Sequence, residues 1–500
     1  MSVFILIFTI LFAVFAVRRL DLAVAFLIFA LPAYLIRFKI HGLPSTLLEV
    51  MIWVVFLTWC VANFSELRTN LANRFKNKDR KIKRYPFDAE LILLLIISFV
   101  AAGISGFTAS ALGIWKAYFF EPALVYIVVF NIAVQKYRQN KKKNLEFGIW
   151  NLEFILWPLL FSVIVISLFA IYQKITGQFI GNPLWAAEAT RRVVSFFGYP
   201  NAIGLYVGPL VLVFIGWLFA IILKRRASEA TEFRNKILNF KFLIFKQFSI
   251  FQFLKIFLIA IGIVLSILSI IFAKSNGAGI GVGAGLIVFG ILANKKSRKI
   301  TSLILLILIL GAAIFAPARN LALKYLTLSD FSGQVRQAQW RETLTMLKDG
   351  RIVTGAGLDN YQKTIAPYHV PGFFYNKFND PDFHRKTVFN AAYRKLVWQP
   401  LEIYMYPHNI LLNFWSELGL AGMLLFIWII GKYFVLGIRN LELGIRSRRK
   451  EDYLISGLMG AMVMIIVQGI VDVPYFKNDL SVMFWIFVAM LSLLNIYKET

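Results

Sequence analysis

Apolar runs long enough to cross a bilayer follow one another along almost the whole chain, and they leave few folds open. About 20 apolar residues span roughly 30 Å of hydrocarbon as a helix, and backbone in lipid must satisfy its own polar groups. Thirteen such segments can be drawn: 3–17, 20–36, 46–63, 89–106, 115–135, 153–172, 202–223, 250–273, 277–293, 300–317, 408–436, 453–472 and 480–497. The first two are short and separated only by Arg18 and Arg19, so the expected count is twelve to fourteen. With 59% hydrophobic residues and a mean hydropathy of +0.69, the expected class is an all-α, polytopic integral membrane protein. The first segment lacks a basic flank before it and a small-residue cleavage site after it, so it is not expected to be a cleaved signal.

A net charge of +28 would suggest nucleic acid in a soluble chain. Here the cations cluster between apolar segments, in 64–88, 136–146, 224–247, 294–299 and 437–452, which all fall on one side. That is the positive-inside pattern, so these loops are expected in the cytoplasm and no nucleic-acid partner is expected. The Lys/Phe-rich stretch 232–255 reads as an interfacial amphipathic piece. The single cysteine, Cys60, rules out an intramolecular disulfide. Three parts result: membrane helices over 1–317, a large extracytoplasmic loop over 318–407, and C-terminal membrane helices over 408–500.

A loop of that length is more than a connector. Its start, Ser332 to Leu347, has helical spacing and puts Arg336 and Trp340 one turn apart, with Arg341 beside them. A turn follows at Lys348-Asp349-Gly350-Arg351, then Gly355-Ala356-Gly357. The tract beyond is aromatic and broken by Pro367, Pro371, Pro381, Pro400 and Pro407, so it cannot be one helix. Gly355 and Gly357 lack the strand and third glycine of a dinucleotide fingerprint, leaving a turn whose amides approach an anion. Arginine's planar fork suits paired phosphate oxygens, which makes Arg336, Arg341, Arg191 and Arg192 candidates for an anionic ligand. Asn201 after Pro200 reads as a helix N-cap opening toward the same side. Charges inside spans are candidates by default, among them Glu49, Lys116, Glu121, Lys255, Glu417 and Asp472. Four histidines without metal-ligand spacing give no metal site, and no cofactor motif is present.

His408 stands at the mouth of a span in Tyr406-Pro407-His408-Asn409-Ile410-Leu411-Leu412, followed by Glu417-Leu418-Gly419-Leu420-Ala421-Gly422. This resembles the signature of the O-antigen ligase and polymerase family. Arg192-Val193-Val194-Ser195-Phe196-Phe197-Gly198-Tyr199-Pro200-Asn201 and Arg336 to Trp340 followed by Gly355 and Gly357 are similar to that family's loop patterns. The resemblance covers roughly residues 185–480. It implies a GT-C-like, metal-independent, inverting glycosyltransferase in the bacterial inner membrane, acting on the extracytoplasmic face. The implied donor is a glycan on polyprenyl (undecaprenyl) diphosphate, and the default acceptor is a lipid A-core sugar. A polysaccharide polymerase and a protein O-oligosaccharyltransferase share the signature. The resemblance gives His408 the role of base, since an unperturbed imidazole titrates near working pH, and gives Arg192 and Arg336 the donor diphosphate. Asn409, Glu417 and Asp472 are supporting candidates, Asp472 as a partner orienting His408 or an arginine. Glu417 points away from His408 on a helix and is expected to anchor a neighbouring helix, while Gly419 and Gly422 are expected where helices approach closely. A transporter or lipid flippase is the rival class; its polar residues would line mid-span positions rather than two outer loops.

The topology has a direct check. Cysteines introduced into 318–407 should react with a membrane-impermeant thiol reagent in intact spheroplasts, whereas reaction only after lysis would reverse the orientation.

Overall fold

The computed structural model describes residues 3–40, 43–64, 85–141, 149–229, 250–445 and 450–496. All thirteen apolar segments are helical. Nine helices among the described residues are long and apolar enough to cross a membrane. The other four are α1 (Val3–Arg18), α2 (Leu20–Phe29), α3 (Leu47–Ala62) and α4 (Asp88–Ile104), of 10 to 17 residues. At 1.5 Å per residue even the longest of them covers only about 26 Å. The multi-pass membrane class stands, with the expected count divided between full-length and shorter helices.

The nine begin with an interrupted helix over Ala109–Gln139, whose main part is α5 (Glu121–Lys141). They continue with α6 (Glu153–Thr176), α7 (Asn201–Glu229), α8 (Ile250–Ala273), α9 (Asn276–Ala293) and α10 (Lys295–Ile314). After α11 (Ala316–Leu326) and α12 (Phe331–Met346) in the long loop, three close the chain: α13 (Ile410–Ile445), α14 (Glu451–Gly469) and α15 (Asn478–Ile496). Residues 65–84, 142–148, 230–249 and 446–449, which hold most of the basic-loop cations and of the stretch 232–255, lie outside the described residues, as does His41.

The centre of the bundle is α15, where Leu480 to Leu494 are all buried, with α14 packed beside it. Small residues set the closest approaches. A Cβ on Gly216 would lie 2.6 Å from the carbonyl of Tyr453, and one on Gly285 2.7 Å from that of Gly460. Such contacts suit helices that associate in lipid by close packing. Three ion pairs lie within the bundle among the described residues: Lys116 with Glu49, Lys255 with Glu153, and Lys432 with Glu90 at 2.7 Å. Lys116 thus reaches across to α3 rather than to Glu121 on its own helix.

In the long loop, α12 starts where Asp330 accepts from the Gly333 amide at 3.2 Å, the N-cap bond that opens a helix. It ends as Asp349 and Gly350 leave helical geometry, Gly350 at φ +73°. The proline-broken tract folds into the short helices Phe383–Phe389 and Ala391–Val397 and a small antiparallel ladder, β3 (Gly372–Phe374) on β4 (Trp398–Pro400). A second ladder pairs β1 (Arg37–Ile40) with β2 (Leu43–Thr46), so the helical fold carries two minor strand pairs.

α13 is broken at Gly419 (φ +75°, ψ −178°), and the segment 352–359 fills the break. Leu420 N donates to Val353 O (3.1 Å), Ala356 N to Ser416 O (2.6 Å) and Trp415 Nε1 to Ile352 O (2.7 Å). The Glu417 carboxylate accepts the Asp359 amide at 2.8 Å. Two expectations change here. Gly419 is approached by a loop, not by a helix, and Glu417 anchors that loop. A Cβ on Gly419 would stand 2.2 Å from Val353 O, and one on Gly355 2.5 Å from Ser416 O.

Replacing Gly419 with Ala should therefore destabilise by about 2–4 kcal/mol, through a strained φ and displaced backbone. Gly431 in the same helix has open space around it, and its alanine variant should stay within about 0.5 kcal/mol. Thermal unfolding in one detergent measures both.

Candidate functional site

Four stretches distant in sequence meet at His408. They are the segment before α7, helix α12, the turn that leads into α13, and the turn 470–477 between α14 and α15. Positions three and four apart share a helix face, and on α12 these are Arg336, Gln339 and Trp340. Each makes one contact toward the site. Trp340 Nε1 donates to Pro407 O at 3.0 Å, Gln339 Oε1 lies 3.0 Å from His408 Nδ1, and Arg336 Nε donates to Val471 O at 2.7 Å. Asn409 does two jobs. Its Oδ1 caps α13 through Leu412 N (3.0 Å), and its Nδ2 donates to Ile470 O (3.0 Å).

His408 has φ +46°, a conformation that costs a non-glycine residue about 1 kcal/mol or more and persists only where neighbours impose it. Those neighbours include Gln339 and the rings of Tyr406 and Tyr404, with centroids 4.7 and 5.2 Å from the imidazole. An amide oxygen in that position suits an Nδ1–H donor, the tautomer that would leave the lone pair on Nε2. Burial, and then the charge of Arg336, push the imidazole pKa down to about 4. This corrects the expectation of a ring titrating near working pH. The imidazole is a neutral base across the physiological range.

Arg192 is linked to the turn 470–477 through Asn201. Its Nε donates to Ala273 O at 3.0 Å and one terminal nitrogen to Asn201 Oδ1 at 3.2 Å. Asn201 is the first residue of α7; instead of acting as a free cap, its side chain joins Arg192 and lies within hydrogen-bonding reach of Asp472. Asp472 is buried, which raises its pKa, while Arg336, Lys477 and Asn201 pull the other way. The carboxylate therefore faces the arginine and asparagine groups, not the imidazole.

Other candidates stand apart. Arg191 is spent on the carbonyls of Ala186 (3.1 Å), Lys174 (2.9 Å) and Ile175 (3.2 Å), closing the end of α6. Arg341 is exposed, one residue round the helix from Trp340. Gly355 and Gly357 serve close packing: the amides of Gly355, Ala356 and Leu358 go to Arg351 O, Ser416 O and Ala101 O. A Cβ on Gly357 would lie 2.9 Å from Ser105 N. Glu417 belongs to this same packing and not to the imidazole.

Two residues escaped the sequence reading. Gln339 was legible as the position three beyond Arg336. Lys477 was not: its ammonium is buried, with no hydrogen bond among the described residues, over the rings of Phe197 (4.5 Å), Tyr34 (5.2 Å) and Tyr199 (5.4 Å), which come from distant segments. Burial lowers its pKa, and Asp479 and Asp472 oppose that.

Residues 261–427, from within α8 to the early part of α13, match the family model described as O-antigen ligase. These residues are similar to an O-antigen ligase domain. No curated protein matches the chain. Within the O-antigen ligase match lie Arg336, Trp340, Gly355, Gly357, His408, Asn409 and Glu417; Arg191, Arg192 and Asp472 fall outside it. The O-antigen ligase family implies a glycosyl-transfer enzyme with lipid-linked glycan and membrane lipid as partners.

The charge of Arg336 can be read directly at the ring. In Arg336→Gln the His408 titration midpoint should rise relative to the wild type, since a cation that disfavoured imidazolium is gone. Ring-¹⁵N chemical shifts of the chain in nanodiscs measure it.

Proposed function

We propose that the chain transfers a glycan from a polyprenyl (undecaprenyl) diphosphate carrier to an acceptor hydroxyl, by default a lipid A-core sugar. It does so on the extracytoplasmic face of the bacterial inner membrane, without a metal and with inversion at the sugar. One observation carries this: the buried His408 imidazole, its Nδ1 3.0 Å from Gln339 Oε1, feels the charge of Arg336, which is held among the described residues only through Nε. The terminal nitrogens of Arg336 make no hydrogen bond among the described residues and can take phosphate oxygens in pairs. Arg192 adds a second anchored guanidinium, bound at Nε by a carbonyl in the same manner.

The reaction follows from those groups. Nε2 of His408 takes the acceptor hydroxyl proton as the acceptor oxygen bonds to the anomeric carbon. The bond from that carbon to the phosphate oxygen breaks on the opposite face, and the electron pair leaves with the diphosphate. Arg192 and Arg336 hold the negative charge that develops there, and in a water-poor site fixed cations act strongly without reorganising. The proton on His408 returns to solvent or to the departing phosphate. A base with a pKa near 4 is weak in the ground state, and the approach of the anionic donor raises its proton affinity. The basic loops on the other face support the outer placement of this site.

His408→Ala and His408→Gln should each lose about 10²–10⁴ in turnover, about 3–5 kcal/mol, with donor binding kept. Arg192→Lys and Arg336→Lys should each lose about tenfold or more in donor binding and turnover, because a point charge cannot replace the fork. The assay is transfer from a polyprenyl-diphosphate glycan to candidate acceptors with divalent metal chelated. Wild-type turnover in His408→Gln would remove the base role, and full activity in both lysine variants would reduce the arginines to generic charge.

A further inference from the structure

The proposed reaction gives no task to the side chain that meets His408 at Nδ1. Gln339 is 2% exposed, and its Oε1 lies 3.0 Å from His408 Nδ1. Its Nε2 is buried with no hydrogen-bond partner among the described residues. An unpaired buried amide costs about 1–3 kcal/mol, so a leucine or methionine of similar size would serve stability better at this position. Stability does not account for an amide here. Its oxygen toward the imidazole does.

We propose that Gln339 is a positioning residue that locks His408 in the Nδ1–H tautomer, directing the Nε2 lone pair to the acceptor hydroxyl without adding charge. The proposal deepens the reading of His408 as the base and rests on it. Two tautomers of a neutral imidazole are otherwise close in energy, and the hydrogen bond made by one nitrogen decides which is present. The absence of charge matters because of what surrounds the ring. Arg336 faces it from α12; Tyr404 and Tyr406 face it from its own turn; Asp472, on the turn 470–477, acts on Arg336 and Tyr406. A carboxylate at 339 would have two partners to choose from. Toward His408 it would favour imidazolium and consume the base. Toward Arg336, three residues back on the same helix face, it would occupy the nitrogens meant for phosphate. A neutral acceptor orients the ring and leaves the arginine free.

The chain holds four histidines, so the ring-¹⁵N spectrum of the full-length protein in nanodiscs is simple, and His408→Gln assigns the signal. The wild type should show His408 with Nδ1 protonated and Nε2 unprotonated at neutral pH. Gln339→Leu, checked for wild-type elution and melting, should bring in the Nε2–H tautomer. The isosteric Gln339→Glu should raise the titration midpoint by about 1–3 pH units and carry the acid limb of kcat/KM upward with it. A wild-type ring protonated at Nε2 would overturn the proposal, as would a Gln339→Leu ring that stays purely Nδ1–H or a Gln339→Glu midpoint that does not move. Because the spectrum reads the tautomer without turnover, it stands apart from the transfer assay. Full transfer by His408→Gln would remove the base role alone, whereas an unchanged tautomer in Gln339→Leu would remove the positioning role alone.

Discussion

A membrane helix that breaks must find partners for its freed backbone inside the protein, because lipid supplies none. At Gly419 the partners come from the large loop, and the site's geometry follows from that exchange. Segment 352–359 pairs with α13 through Val353, Ser416 and Glu417, and both Gly355 and Gly419 lack a side chain where the two backbones meet. The segment is continuous with the C-terminal end of α12, and α13 begins just past His408. Stitching the two together fixes the helix that carries Arg336, Gln339 and Trp340 against the turn that carries the imidazole. The bonds from Trp340 to Pro407 and from Asn409 to Ile470 complete the alignment.

Charge within this site is controlled by anchoring and burial together. Both arginines spend Nε on a carbonyl, which fixes the plane of the fork; Arg336 keeps its terminal nitrogens unbonded among the described residues, whereas Arg192 gives one of them to Asn201. Asp472 and Lys477 are buried nearby with opposed tendencies: burial favours the neutral form of each, and each favours the charged form of the other. Three aromatic faces around the Lys477 ammonium offset part of its desolvation. The same segment that carries Phe197 and Tyr199 also carries Arg192 and Asn201, so this cage bears on the placement of the second arginine.

Much of this was legible in the chain because membrane proteins write their constraints locally. Apolar length located the thirteen helices, and helical spacing located α12 to within a residue or so. His408 and Arg192 stood out as polar residues close to the mouths of spans, and Arg336 by its place one turn from Trp340 in the long loop. The errors have a common cause, which is that a sequence gives neighbours along one element but not across elements. Glu417 and Gly419 sit in a helix, yet their partners are in a loop some sixty residues earlier. Arg191 and Arg192 are adjacent, yet one closes α6 and the other reaches Asn201. The imidazole pKa could not be read from residue type, because burial and Arg336 set it.

Direct displacement by a base-activated acceptor, with the diphosphate leaving from the opposite face, has a stereochemical consequence that no binding measurement can imitate. The anomeric configuration of the product, determined by NMR after transfer from a polyprenyl-diphosphate glycan of known configuration with divalent metal chelated, reports it. A single displacement at His408 predicts complete inversion. Retention would mean a covalent glycosyl intermediate and would contradict the assignment of His408 as base and of the arginines as the leaving-group site.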